Sequence, residues 1–447
     1  MKLLLTVLLC VFTYSESHAQ NFWLTTYAFP GDHKTSITLA NDNSLFVGSP
    51  FHIHRSLDGG HSWDTVLNSS AVLYLFTSTT GRVVGGGLGK IFFSDDLGNT
   101  WDSVSLGNTY PVTKIIQNKD GNLFAITGTL DVEKGYVGAG VYYSNDNGNT
   151  WSQRNNGLGN FLSCEQIASD KNGRLYLGVP DEYVTGNGGL FISDNNGLQW
   201  EHINILLDGK NVVSDQMSVA NVKSISVSPQ DSVYFSFSGT AVNVSVSFNA
   251  CKSIADIRNN TFWNVRKVAN VATWWNDRLL SNIHFAKNGD WYSSMNGSIN
   301  VGGTFFSTDK GQTWNKHIEG LGFDISGYFN IQHLAENSSG KIYMVQMFDE
   351  RVYQTDMSIP TSVHDDISTG DVSSVFPNLV AGNSPFRIQF SDNAGERHIT
   401  VSNSVGKLYL SQSVHDSFTM NSPDEKGMWF IRIYENGIVK THKIIVY

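Results

Sequence analysis

Short apolar runs, separated by polar and glycine-rich stretches, recur along this chain. One set occupies 72–76, 82–84, 90–93 and 101–104, with Thr79-Thr80-Gly81 and further glycines between its members. The next occupies 113–117, 122–126, 140–143 and 151–154. Runs of this length, rich in β-branched and aromatic residues and bounded by turn residues, predict strands. No segment sustains a helical period. Four strands per unit, unit after unit, predict an all-β chain built from repeated four-stranded sheets.

Between the third and fourth strands of each unit lies an octapeptide. It reads Ser56-Leu57-Asp58-Gly59-Gly60-His61-Ser62-Trp63, then Ser94-Asp95-Asp96-Leu97-Gly98-Asn99-Thr100-Trp101. It returns as Ser144-Asn145-Asp146-Asn147-Gly148-Asn149-Thr150-Trp151 and Ser307-Thr308-Asp309-Lys310-Gly311-Gln312-Thr313-Trp314. A softened copy, Ser193-Asp194-Asn195-Asn196-Gly197-Leu198-Gln199-Trp200, has Asn195 where the others have Asp. Successive tryptophans lie 38, 50 and 49 residues apart (63 to 101, 101 to 151, 151 to 200). Chemically the motif is a staple. Ser and Asp side chains bond the amides of a turn, Gly supplies a conformation closed to residues with a Cβ, and Trp starts the outer strand. One carboxylate per turn is far short of the oxygen cage that calcium requires.

The octapeptides resemble the Asp-box (BNR) repeat found in sialidases and in many non-enzymatic extracellular propellers; the resemblance covers roughly residues 21 to 357. Two further units are degenerate. One carries Ser247-Phe248-Asn249-Ala250-Cys251, with Trp263 as an alternative start of its outer strand; the other spans 331–353 and lacks a fourth strand. Phe22-Trp23-Leu24-Thr25-Thr26 looks like the missing Trp-led strand. The expectation is therefore a seven-bladed propeller over 20–357, its last blade (330–355) completed by residues 21–27. Six blades is the alternative, if 222–257 forms no blade.

The ends carry targeting information. Lys2, the apolar stretch 3–12 and Ser17-His18-Ala19 read as a signal peptide over 1–19. A polar stretch, 358–374, reads as a linker, and strands return over 375–447 as a small immunoglobulin-like sandwich. That tail resembles the type A C-terminal sorting domain of the type IX secretion system. The resemblance is carried by Phe376-Pro377-Asn378, Ser404-Val405-Gly406-Lys407, the segment from Gly427 to Ile433, and Lys443-Ile444-Ile445-Val446. It implies the type IX machinery as a partner, and secretion or display at the outer cell surface through the periplasm. Leu379 stands where that family usually has a second proline.

Charge narrows the partners. A formal charge of −10 without a Lys/Arg cluster argues against nucleic acid. No stretch reaches a membrane-spanning length. Cys164 and Cys251 remain after the leader, too few for a disulfide framework; two free, half-buried thiols are expected, with a bridge between them as the alternative in an oxidising compartment. His52 and His54 share one side of a strand but lack a third ligand, so no metal or cofactor is implied.

Propeller connectivity puts the octapeptides on one face and the longer connections, 128–140, 179–189, 204–221, 255–280 and 317–329, on the other. Binding is expected there. The candidate residues are Trp263, Trp274, Trp275, Tyr183, Asp277 and Arg278, because flat indoles beside polar groups suit a sugar. Asp131 and Glu133 are expected as solvated loop charges. No catalytic residue is assigned. The Arg-Ile-Pro signature of sialidases is replaced by Phe51-His52-Ile53-His54-Arg55. The expected function is a non-catalytic exported propeller that binds glycan or protein; a glycoside hydrolase acting on a polysaccharide is the alternative.

Overall fold

The computed structural model describes residues 22–26, 33–69, 71–180, 188–203, 206–207, 210–211, 217–241, 244–258, 264–266, 279–298, 301–322, 327–356, 373–376, 379–390, 397–403, 407–435 and 438–446. Two compact units divide the chain, Met1–Ile359 and Pro360–Tyr447. The expected leader, and the expected linker apart from its last two residues, lie outside the described residues.

In the first unit, seven four-stranded antiparallel sheets are present among the described residues. The first is built from Ser36–Leu39, Leu45–Gly48, His52–Ser56 and Asp64–Asn68. The second to seventh open with Tyr74–Thr77, Val112–Gln117, Gln166–Ser169, Met217–Val227, His284–Phe285 and Ile331–Glu336. Strand order follows the chain except in the seventh sheet, whose outer strand is Trp23–Thr25. It pairs with Val352–Thr355, Trp23 opposite Thr355.

One turn is common to all seven sheets. The N–H of Ala40, Ser78, Asn118, Asp170, Ser228, Ala286 and Asn337 donates to the carbonyl four residues ahead. The N–H three residues ahead donates back to each of them. That donor residue is left-handed: Gly81, Gly121, Gly173, Gly289 and Gly340, with Asn43 and Asp231 at the remaining two turns. Glycine suits the site because a Cβ is disfavoured there. Six residues before it stands an aliphatic residue each time: Ile37, Leu75, Ile115, Ile167, Ile225, Ile283 and Leu334, all but Ile283 buried.

Successive sheets are bonded to one another. The links are Leu75 N–H to Ser36 Oγ, Arg82 to Asn149, Lys114 to Gln166, and Arg174 to the Ile254 carbonyl. Ile225 N–H to Asn282, His284 with Glu336, and Ser338 N–H to Asn43 complete the set, so the seventh sheet returns to the first. Tryptophans seal these seams. Trp101 meets Phe46 of the preceding sheet edge-on at 6.5 Å. Trp200 packs with Phe124 and Ile126, and Trp23 with Tyr292 and Phe306.

Two expectations need correction. Residues 247–251 are not a turn: they lie inside Val244–Ser253, which is paired along its length with Ser232–Ala241. That sheet takes Asn264–Arg266 as its outer strand. Residues 128–140 are not an open loop either. They extend the hairpin Leu123–Asp131 and Gly135–Ser144, where Asp131 Oδ1 accepts the N–H groups of Glu133 and Lys134. Asp131 caps a turn, and these amide bonds hold its carboxyl below the ordinary range.

The second unit has a three-stranded sheet (Ser373–Phe376, Pro385–Phe390, Phe418–Asn421) and a five-stranded one. The latter runs Leu379–Val380, Ile438–Val446, Gly427–Glu435, Arg397–Asn403 and Leu408–Val414, antiparallel apart from its first pair. Phe386, Ile388, Ile399, Val401, Trp429, Ile431 and Ile444 form its core.

Candidate functional site

The five octapeptides share one geometry. The Ser hydroxyl accepts the N–H of the Gly, at 2.8 Å from Gly60, Gly98, Gly148 and Gly311 and 3.0 Å from Gly197. The same hydroxyl donates to Asp58, Asp96, Asp146, Asn195 or Asp309. That side chain accepts the N–H four residues ahead, from Ser62, Thr100, Thr150, Gln199 or Thr313. The second carboxylate oxygen takes the hydroxyl of Ser62, Thr100, Thr150 or Thr313. In the copy that has Asn195, the hydroxyl residue is replaced by Gln199. Acid and hydroxyl change together because each is the other's partner.

These bonds favour the charged carboxylate. The Ser62 hydroxyl, then its amide, then Ser56 hold Asp58 far below the usual carboxylate range. The Thr100 amide and then its hydroxyl bring Asp96 down to about 2. Burial pushes Asp146 upward, but the Thr150 bonds outweigh it. Such a carboxylate has no proton to give near neutral pH and few lone pairs left for a ligand.

Arginines from the preceding sheets grip these turns. Arg55 donates to the Leu97 carbonyl and Asn99 Oδ1. Arg82 is bidentate to Asp95, reaches the Asn147 carbonyl and Asn149 Oδ1, and covers the Phe93 ring. This face holds the sheets together.

A different chemistry lies inside the ring. Seven residues before each left-handed turn residue stand Ser36, Tyr74, Lys114, Gln166, Ser224, Asn282 and His333, all polar and all on the inner strands except Asn282, which lies just ahead of His284–Phe285. Register shifts precede Lys114, Ser224 and His333, and bulges of this kind re-aim side chains. The Tyr74 and His333 rings lie 5.2 Å apart although the first sheet stands between their strands, which places both toward the axis. Lys114 Nζ donates to Gln166 Oε1 at 3.1 Å, and Ser36 Oγ meets His333 Nδ1 at 3.3 Å. Burial pushes the Lys114 ammonium down to about 8, with no carboxylate opposing it. Burial, then the charges of Lys114 and His284, bring His333 down to about 4. Burial also raises Tyr74, which keeps some exposed surface although it sits deep on the axis, as a channel-lining side chain does. Perturbed groups gathered in a concavity mark a candidate site.

Sequence reasoning missed this collar. Its signal is a polar residue directly before each of the seven inner Ile or Leu positions. The six expected ligand residues, Tyr183, Trp263, Trp274, Trp275, Asp277 and Arg278, lie outside the described residues, as do Pro377, Asn378 and Gly406 of the tail. Gly427 opens Gly427–Glu435 with φ 135°, and Lys443 pairs with Phe430. His52 and His54 stand with ring centroids 5.4 Å apart. Among the described residues no group of three or more His, Cys, Asp or Glu could hold a metal. Among the described residues neither Cys164 nor Cys251 forms a disulfide, and both are buried rather than half-buried. No described helix is long and apolar enough to cross a membrane.

No protein-family model and no curated protein sequence matches the chain. Solved structures do. The extracellular domain of a protein described as the hybrid two-component system BT3049 of B. thetaiotaomicron aligns at TM-score 0.54 and 14% identity, over 96% of this chain and 58% of that one. YCF48 bound to D1 peptide aligns at 0.51 and 13%, over 76% and 96%. A chain of the mitotic checkpoint complex aligns at 0.50 and 12%, over 80% and 99%. The chain thus spans less than two thirds of the first of these. The neighbours are β-propeller-like, and at these identities the likeness is one of fold. Structures of such different settings share it, so function must be argued from the site.

Proposed function

We propose that this protein is an exported seven-bladed Asp-box propeller that acts as a non-catalytic binding module. Its immunoglobulin-like tail, from residue 375, serves as a type IX sorting domain. The observation that carries the reading is the use made of the octapeptide acids: Asp58, Asp96, Asp146 and Asp309 each accept bonds from their own turn. Glycoside cleavage needs two carboxyl groups facing a shared bond, and these serve the scaffold instead. Binding then falls to the opposite face and the axial collar. A neighbour solved with a peptide, and another that is an extracellular domain, support a display role.

A glycan array and a peptide array probed with the secreted chain, run beside an assay for released reducing ends, test the reading. Binding without release is expected. Turnover that is lost when an acid of the opposite face becomes its amide establishes the hydrolase instead. For the tail, removal of 375–447 is expected to trap the propeller inside the outer membrane.

A further inference from the structure

We propose that the axial collar is a binding site for a carboxylate group, with Lys114, Tyr74 and Gln166 as its donors. The proposal rests on the binding-module reading and names the chemistry of the ligand.

The collar offers donors and lacks an acid. Lys114 has three N–H groups; among the described residues one reaches Gln166 Oε1 and no carboxylate meets it. Because Gln166 accepts through Oε1, its amide N–H groups remain to donate. The Tyr74 hydroxyl has no hydrogen-bond partner among the described residues, and burial alone perturbs it. His333 is engaged within the collar, by Ser36 Oγ at Nδ1 and by the Ile37 backbone, and is not counted among the donors. Glu336, on an inner strand, and Glu165, just ahead of one, are committed elsewhere. Glu336 takes His284 and the Lys287 N–H, and Glu165 takes Lys223.

A buried ammonium held only by an amide is costly in isolation. A carboxylate relieves that cost: one oxygen takes Lys114 and the other takes the Tyr74 hydroxyl. A neutral sugar hydroxyl would leave the buried ammonium without a counter-charge. Access is from the face opposite the octapeptides. Ser36, Tyr74 and Gln166 are the first residues of their strands, and those strands run from that face toward the octapeptide face.

Two sources of the group are open: a free small acid, or a uronic-acid unit of a polysaccharide. Calorimetry on the whole secreted chain separates them, using glucuronate, an oligogalacturonate and a neutral galacto-oligosaccharide of equal length. Saturable binding of glucuronate and oligogalacturonate assigns a free-acid site, and binding of the oligomer alone assigns a polysaccharide end. In either case Lys114→Gln should weaken binding about 10- to 100-fold, as expected for one charge-assisted bond. Its melting temperature should hold or rise, because an unpaired buried charge is gone. Tyr74→Phe should cost about 2- to 10-fold and serves if K114Q does not fold. Lys119→Gln, a surface change on the octapeptide face, should leave affinity unaltered. Absence of binding by both carboxylates, or K114Q and Y74F binding them like the parent, overturns the proposal. Neutral-oligomer binding that ignores Lys114 also overturns it, while leaving the binding-module reading in place.

Discussion

Arg82 of the second sheet closes four hydrogen bonds, two to Asp95 of its own sheet and two to the octapeptide that begins at Ser144 in the third. Its guanidinium is buried over Phe93. Removing it by Arg82→Ala strips the Asn147 carbonyl and Asn149 of their partner. A loss of about 2–4 kcal/mol is expected in urea unfolding. Arg82→Lys should recover little, because a point charge cannot span both turns. Full recovery by lysine would show that charge alone matters there.

Acid should loosen the octapeptide turns. Asp96 titrates at about 2 in the fold against an ordinary 3.8, so its contribution is complete above about pH 4 and fades as pH falls toward 2. The melting temperature of the parent should drop across that window. Asp96→Asn, which mimics the natural Asn195 turn, should lower stability at neutral pH and shrink the difference from the parent at pH 2. A constant gap from pH 7 to pH 2 would remove Asp96 from the acid response.

Trp23 is fully buried and donates its indole N–H to Thr304 Oγ1 at 2.9 Å. Trp23→Ala should cost about 3–5 kcal/mol by opening a cavity in the seam with the sixth sheet. Deletion of 22–26 should expose the strand Val352–Thr355 and promote self-association, measurable by light scattering.

Neither thiol should react in the native state. Cys164 and Cys251 are buried and unbridged, and burial pushes the Cys164 thiol up, away from the reactive thiolate. An alkylating reagent should modify none before denaturation and both afterwards, by intact mass. Loss of two hydrogens from the native mass would instead reveal a disulfide.

The strands and the closing role of Trp23 could be read from the sequence because alternation, glycine and tryptophan act locally. The fifth sheet was harder. Its turn starts at Ser253, but Ser247 and Asn249 imitate the motif inside a strand, where pairing with Ser238 and Ser236 overrules them. The collar was harder still. Each sheet's first segment contributes one polar residue, and the shifts before Lys114 and His333 hide the parity that would have aligned them. Ser36 and His333 meet only after the ring has closed.

That closure has a bearing on time. Trp23 and Thr355 are 332 positions apart (355 − 23), yet they are opposite partners. Chain entropy opposes joining ends so distant by roughly 5 kcal/mol. A chain that emerges N-terminus first therefore makes its closing strand first and must hold it unpaired until nearly the whole ring has been synthesised. Contacts of such long range fold slowly and leave edges exposed meanwhile. The interval before closure is a natural window for a chaperone or a translocon to hold the chain open, and it ends when Val352–Thr355 arrives.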